Sequence, residues 1–160
     1  MSHNNISIAK GFDIIGDIHG HADALILLLK RLGYHRDHGH WSHPTRRAIF
    51  VGDLIDRGPK QRETCQIVRE MVEADCADIC MGNHELNAVA YSTQTESGAY
   101  LRPHSRKNQH QHASFLEELP LGSSAHEEMI AWFKTLPLWL ELQLEGGGTA
   151  RVIHACWDQE

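Results

Sequence analysis

Apolar and polar positions divide the chain into short apolar runs, each followed by a longer stretch with helical spacing. Phe12, Ile14 and Ile15 predict a first buried strand, and residues 22–32 a helix with one apolar face that ends at Gly33. Residues 34–45 are polar and read as a loop or small hairpin. Residues 47–51 form a second apolar run. Pro59 then opens a helix over residues 60–74, with Ile67, Val68, Met71 and Val72 facing inward. Residues 77–81 predict a third strand and residues 85–91 a third helix. This alternation implies parallel strand–helix–strand units in an α/β domain.

Beyond residue 91 the pattern changes. Residues 92–111 are polar and aperiodic, which predicts an insertion or flexible loop near a site. Helical spacing returns at 111–118 and 125–135, the second with Ser123 and Ser124 as cap candidates. Leu138, Leu140, Leu142 and Leu144 alternate with polar or aromatic neighbours, as in a half-buried strand. A triple-glycine turn at 146–148 and a return strand over 149–154 complete a hairpin that carries His154 at its end.

Composition adds exclusions. With 160 residues the chain is sized for a single domain with its own core. The formal net charge of −6 argues against a nucleic-acid partner held by a broad basic surface, while leaving anionic substrates open where divalent cations reverse the local field. The longest apolar run is too short for a membrane span. Residues 1–5 lack the basic and apolar regions of a signal peptide, so a cytoplasmic protein is expected. Cys65, Cys76, Cys80 and Cys156 lack paired spacing and read as structural thiols. Of the thirteen histidines, His35, His38, His40, His43, His104, His110 and His112 fall in polar stretches and read as solvated.

Four blocks follow strands: Gly16-Asp17-Ile18-His19-Gly20, Gly52-Asp53-Leu54-Ile55-Asp56-Arg57-Gly58, Gly82-Asn83-His84-Glu85 and Val152-Ile153-His154-Ala155. Each singly has a plain explanation as a turn, a surface ion pair or a helix cap. Four in order, each at a strand end, point to one rim that binds metal. Asp17 and His19, two apart in an extended segment, can chelate one ion from a shared face. Asp53 can bridge two ions, and Asn83 with His154 can serve the second. These mixed oxygen and nitrogen ligands suit two divalent ions of manganese, iron, zinc or cobalt better than calcium and do not choose among the four; manganese is the ion expected. Such a pair makes hydroxide available near neutral pH. Arg57 can fork onto phosphoryl oxygens, and Asn83 is a second substrate contact. His84 can protonate the leaving oxygen, and Asp56 can hold His84 in place.

With these motifs the chain resembles the calcineurin-like metallophosphoesterases, and more narrowly the branch of phosphoprotein phosphatases and symmetrical diadenosine tetraphosphatases. The resemblance implies a β-sandwich flanked by helices. It implies Asp17, His19 and bridging Asp53 on one metal, and Asp53, Asn83 and His154 on the other. His84 would be the general acid, Asp56 its partner and Arg57 a phosphate ligand. It also leads one to expect a further metal-binding histidine and more strands of the second sheet beyond Glu160, where the sequence stops. Met81 stands where phosphoprotein phosphatases usually carry an arginine.

The expected activity is metal-dependent hydrolysis of phosphomonoesters, on a phosphorylated small molecule, nucleotide or phosphoprotein, or of dinucleoside polyphosphates, by attack of a metal-bridging hydroxide. The alternatives are a catalytically weak remnant that binds metal or phosphate, and a nuclease of the same fold.

Overall fold

The computed structural model describes residues 10–158; the leader reading concerns residues 1–5, which lie outside them. The elements are β1 (Gly11–Ile15), α1 (Ala22–Arg31), β2 (His35–Asp37), β3 (His40–Ser42), β4 (Arg46–Phe50), α2 (Gln61–Glu73) and β5 (Ala77–Ile79). They continue with α3 (Asn83–Ser92), α4 (Arg106–Gln111), α5 (Ala113–Glu118), α6 (Ser124–Phe133), β6 (Trp139–Gln143) and β7 (Thr149–Ile153).

β1, β4 and β5 form a parallel sheet in that order, with β4 in the middle. Parallel neighbours require crossovers. α1 and the β2–β3 hairpin fill the first, α2 the second. Ala48, Ile49 and Phe50 are fully buried, as expected for a central strand covered on both faces. The register then decides where the chemistry goes. Phe50 pairs with Ile15 on one side and Ile79 on the other, so all three strands end at one level and their loops leave from one edge. Ligand sites of open α/β sheets lie at that carboxyl edge.

Helix ends combine local and distant devices. Gly33, at φ 88°, closes α1 in the left-handed conformation that glycine adopts without strain. Ser123 caps α6 by accepting from the His126 N–H. α2 has no cap of its own. The Glu118 carboxylate of α5 accepts from the Gln61 and Arg62 N–H groups at 2.6 and 3.1 Å, placing an acid on the positive end of that helix.

Buried charge on the sheet is paired. Arg47, entering β4, donates to Asp75 and Asp78, which clamps the α2–β5 connection. Asp13 accepts from Arg46 Nε at 2.7 Å and from the Tyr34 hydroxyl at 3.1 Å. The Arg46 bond first, then the Tyr34 bond, hold the Asp13 carboxyl below its usual value, with burial opposing them. Its contribution is therefore present above the ordinary carboxylate range and is lost as pH falls through the depressed value. Asp13→Asn is expected to lower stability by about 1 kcal/mol near neutrality. Urea melts against pH should show that gap closing in acid; a pH-independent gap would refute the linkage.

Two expectations need correction, and a third resolves to one of its two alternatives. Residues 92–111 are not one aperiodic loop: α3 runs to Ser92, Gln94 bridges Tyr100, and α4 follows with Ser105 as its cap. Residues 34–45 form the small hairpin. The leucine alternation does mark β6, paired antiparallel with β7, yet only Leu142 is buried there, and Leu138 and Leu144 lie exposed. Among the described residues the sheets have three, two and two strands, so the expected α/β class is present as a mixed core with β6–β7 as a separate hairpin. That hairpin is tied to the first sheet by Met81 N–H to Pro137 O at 2.7 Å. No helix among the described residues is long and apolar enough to cross a membrane.

Candidate metal centre

The loops leaving β1, β4 and β5 are bonded to one another before any ligand is considered. Ile18 and His19 donate to Asp53 O at 3.0 and 2.9 Å, and Gly58 donates to His19 O at 2.8 Å. The second and third loops touch backbone to backbone. A Cβ on Gly52 would stand 2.1 Å from Gly82 N, and one on Gly82 would stand 2.3 Å from Asp53 N, so neither position tolerates a side chain.

Glu85, for which the sequence suggested no role, holds this junction. Its fully buried carboxylate accepts from Asp53 N (2.8 Å), Leu54 N (2.8 Å) and Gly82 N (3.0 Å). Burial pushes the Glu85 carboxyl above its usual value, with the three N–H bonds pulling the other way. Gln61 plays a similar part on the second loop, accepting from Asp56 N and donating to Gly58 O.

The resulting backbone is unusual. Among the described residues six non-glycine residues have positive φ, and four of them are His19, Asp53, Asp56 and Arg57. Left-handed conformations of ordinary residues cost about 1–2 kcal/mol each, less for Asp. They persist where surroundings dictate them, typically at functional sites.

At the centre is Asp53, nearly fully buried. Its Oδ1 accepts from His84 N at 3.0 Å. Its Oδ2 is faced by three imidazoles: His154 Nε2 at 3.6 Å, His19 Nε2 at 3.9 Å and His84 Nε2 at 3.9 Å. His19 hydrogen-bonds Ile55 O through Nδ1 at 2.9 Å, leaving Nε2 buried and without a partner, 3.8 Å from Asp17 Oδ2. His154 likewise uses Nδ1 on Val51 O at 2.7 Å, and its Nε2 stands 3.1 Å from Asn83 Oδ1. A ring nitrogen opposite a backbone carbonyl must donate, so the other nitrogen of each neutral ring offers a lone pair. Lone pairs converging on carboxylate and amide oxygens are the arrangement that a cation resolves. The donor set fits divalent ions of the transition series.

Two overlapping groups have ligand atoms within 4.8 Å of one another, His19–Asp53–His84 and Asp17–Asp53–His154, and Asp53 belongs to both. The expected ligands Asp17, His19, Asp53, Asn83 and His154 are thus brought together. The expected route differs in one respect: Asp17 and His19 meet because His19 turns into the left-handed region, not because an extended segment alternates. His84 Nε2 also points at the shared carboxylate.

His84 Nδ1 lies 2.6 Å from Asp56 Oδ2, and this bond raises the His84 imidazole above its ordinary value, with burial acting against it. The other Asp56 oxygen is taken by His112 Nδ1 at 2.8 Å. Burial opposes ionisation of Asp56, yet the bonds from His112 and His84 outweigh it and hold the carboxyl below its usual value. His112 was expected among the solvated histidines. It is instead buried, stacked on Phe115 at 4.8 Å, with Nε2 unpartnered. His104 is not solvated either, sandwiched between Tyr91 and Tyr100 at 3.8 and 3.9 Å. His43 accepts from Arg46 N at 3.0 Å, whereas His35, His38 and His110 are exposed as expected. Arg57 is exposed beside His84, in a cleft of about 430 Å³, and among the described residues it forms no ion pair.

The family model described as calcineurin-like phosphoesterase matches residues 11–158. Among curated proteins, the bis(5'-nucleosyl)-tetraphosphatase PrpE of Halalkalibacterium halodurans, designated asymmetrical, is 47% identical over 74 residues, 46% of this chain and 30% of that protein. The protein of the same name from Geobacillus sp. (strain WCH70) is 48% identical over 73 residues, 45% of this chain and 30% of its own. The chain thus spans under a third of the length of these relatives. Among solved structures, a protein serine/threonine phosphatase from Saccharomyces cerevisiae superposes with a TM-score of 0.53 at 20% identity, over 85% of this chain and 36% of that one, a likeness of fold alone.

Proposed function

The chain belongs to the calcineurin-like phosphoesterase family, and from that premise we propose that its site hydrolyses phosphate anhydrides, dinucleoside tetraphosphates foremost, and phosphomonoesters more slowly. The observation that carries this reading is the single buried oxygen of Asp53 faced by His19, His84 and His154. The relatives' name supplies the substrate class. Family membership implies divalent ions, and manganese is the ion proposed among the several that this donor set admits. Bound there, such ions supply Lewis acidity and a water of lowered pKa.

The chain's own residues divide the remaining work. Asp17, His19, Asp53, Asn83 and His154 would hold the ions. Arg57, beside His84 and without an ion pair among the described residues, receives the phosphoryl oxygens and stabilises the charge that builds on them. Water's oxygen bonds to phosphorus as the bridging P–O bond breaks, water gives up one proton to solvent, and His84 gives its own proton to the departing oxygen. Nε2 is the atom that can do so, because Asp56 occupies Nδ1. Asp56 and His112 act through His84 and are positioning residues. The resemblance pointed to symmetrical cleavage, whereas the relatives are designated asymmetrical, and asymmetrical cleavage is proposed.

Incubation of the manganese-loaded protein with diadenosine tetraphosphate tests this. AMP and ATP are expected as products; two ADP would return the chain to the symmetrical branch. A protein that binds manganese yet turns over neither this substrate nor an aryl phosphate is the binding remnant. Faster cleavage of single-stranded DNA than of nucleotides would revive the nuclease.

A further inference from the structure

The polar segment after α3 brings a second arginine to the site. Residues 83, 84 and 87 lie on one face of α3, by the three- and four-residue helical spacing. Asn83, His84 and Asn87 there line a small cavity together with Arg102 and Gln111. Its volume of about 170 Å³ is that of roughly five or six waters, room for one phosphate group.

Arg102 is aimed and not neutralised. Its guanidinium donates to Asn87 Oδ1 and, at 3.0 Å, to Gln111 Oε1, both neutral amide oxygens. Among the described residues no carboxylate pairs with it. The acid in the cavity wall, Asp56, is already taken by His84 and His112. A partly buried cation fixed by uncharged partners is arranged for an anion that arrives.

Its position says which anion. The cleft holding Arg57 and the cavity holding Arg102 both include His84 and Gln111 in their walls. The two arginines therefore flank the imidazole whose proton goes to the departing oxygen. In an aryl ester that oxygen carries a ring; in an anhydride it carries the next phosphate. We infer that Arg102 binds the departing phosphate of a polyphosphate substrate and so favours anhydrides over simple monoesters. The inference rests on the anhydride reading above and assigns the leaving-group half of that site.

The segment does not need this side chain to stay in place. Arg102 N bonds Ala90 O at 3.0 Å, Leu101 N bonds Thr93 O at 2.9 Å, and His104 bonds Tyr91 O while stacked between two tyrosines. Arg102→Gln should accordingly fold, with a melting temperature close to that of the parent.

The experiment compares two substrates on the manganese-loaded protein. Arg102→Gln is expected to lower kcat/KM for diadenosine tetraphosphate roughly 10–100-fold, the range for a hydrogen bond to a charged group. Turnover of an aryl phosphate should stay within about threefold by the same reasoning, because its leaving group makes no such bond. Arg102→Lys should recover part of the loss, with a charge but no fork. Equal losses on both substrates, or none on either, would overturn the assignment. Calorimetric binding of inorganic tripolyphosphate to the manganese-loaded protein reads Arg102 without turnover. Weakening in Arg102→Gln of about tenfold or more supports it even where dinucleotide cleavage fails, and unchanged affinity refutes it.

Discussion

Asp53→Asn is expected to cut metal-dependent hydrolysis by at least about 10³-fold, the loss that follows when a site's main electrostatic element goes. Both candidate ligand groups contain this carboxylate, and three imidazoles converge on its Oδ2. An amide has the same shape, so His84 N retains an acceptor at Oδ1 and the loops stay joined. What disappears is one negative charge that two cations would share. Manganese titration followed calorimetrically should show weaker binding and lost stoichiometry, alongside the loss of turnover. A variant with activity within about tenfold of the parent would remove Asp53 from the centre of the site.

The second large effect falls on stability. Glu85→Ala is expected to cost about 3–5 kcal/mol, because it strands three buried N–H donors and leaves a cavity. Glu85→Gln separates the two causes. It keeps the volume and one acceptor, but turns an NH₂ toward backbone donors, and should cost about 2–3 kcal/mol. Urea unfolding measures both, and a loss under about 1 kcal/mol for Glu85→Gln would show that the carboxylate does not hold the junction. The Asp53 N–H is among the three donors, so activity should fall with stability in both variants.

The parallel core was readable from the sequence because its signals are local. Short, mainly apolar stretches, each followed by Gly-Asp or Gly-Asn, mark β1, β4 and β5 and the loops after them. The hidden features all depend on partners distant in sequence. Glu118 serves as the cap of α2 from 57 residues away, and no capping motif near Lys60 hints at it. Glu85 reads like an ordinary first-turn acid. His112 was masked by the polarity of its neighbours, though one signal was available. It precedes Phe115 by three, which in a helix places both on one face, and Phe115 is core. Arg102 could not be placed at all, since its segment has no period and the fold alone folds it back over α3. The left-handed turn at His19 was likewise invisible, because an Asp-Ile-His stretch carries no glycine at the position that bends.

The backbone at His19, Asp53, Asp56 and Arg57 has a practical consequence for anyone evolving this protein. Glycine or asparagine relaxes a left-handed residue, so a library ranked by melting temperature will accept them at Arg57, which is exposed and forms no ion pair among the described residues. Heat resistance and turnover would then diverge across the survivors, with the most robust clones the least active. A screen that keeps chemistry must leave that codon untouched and seek its gains elsewhere in the chain.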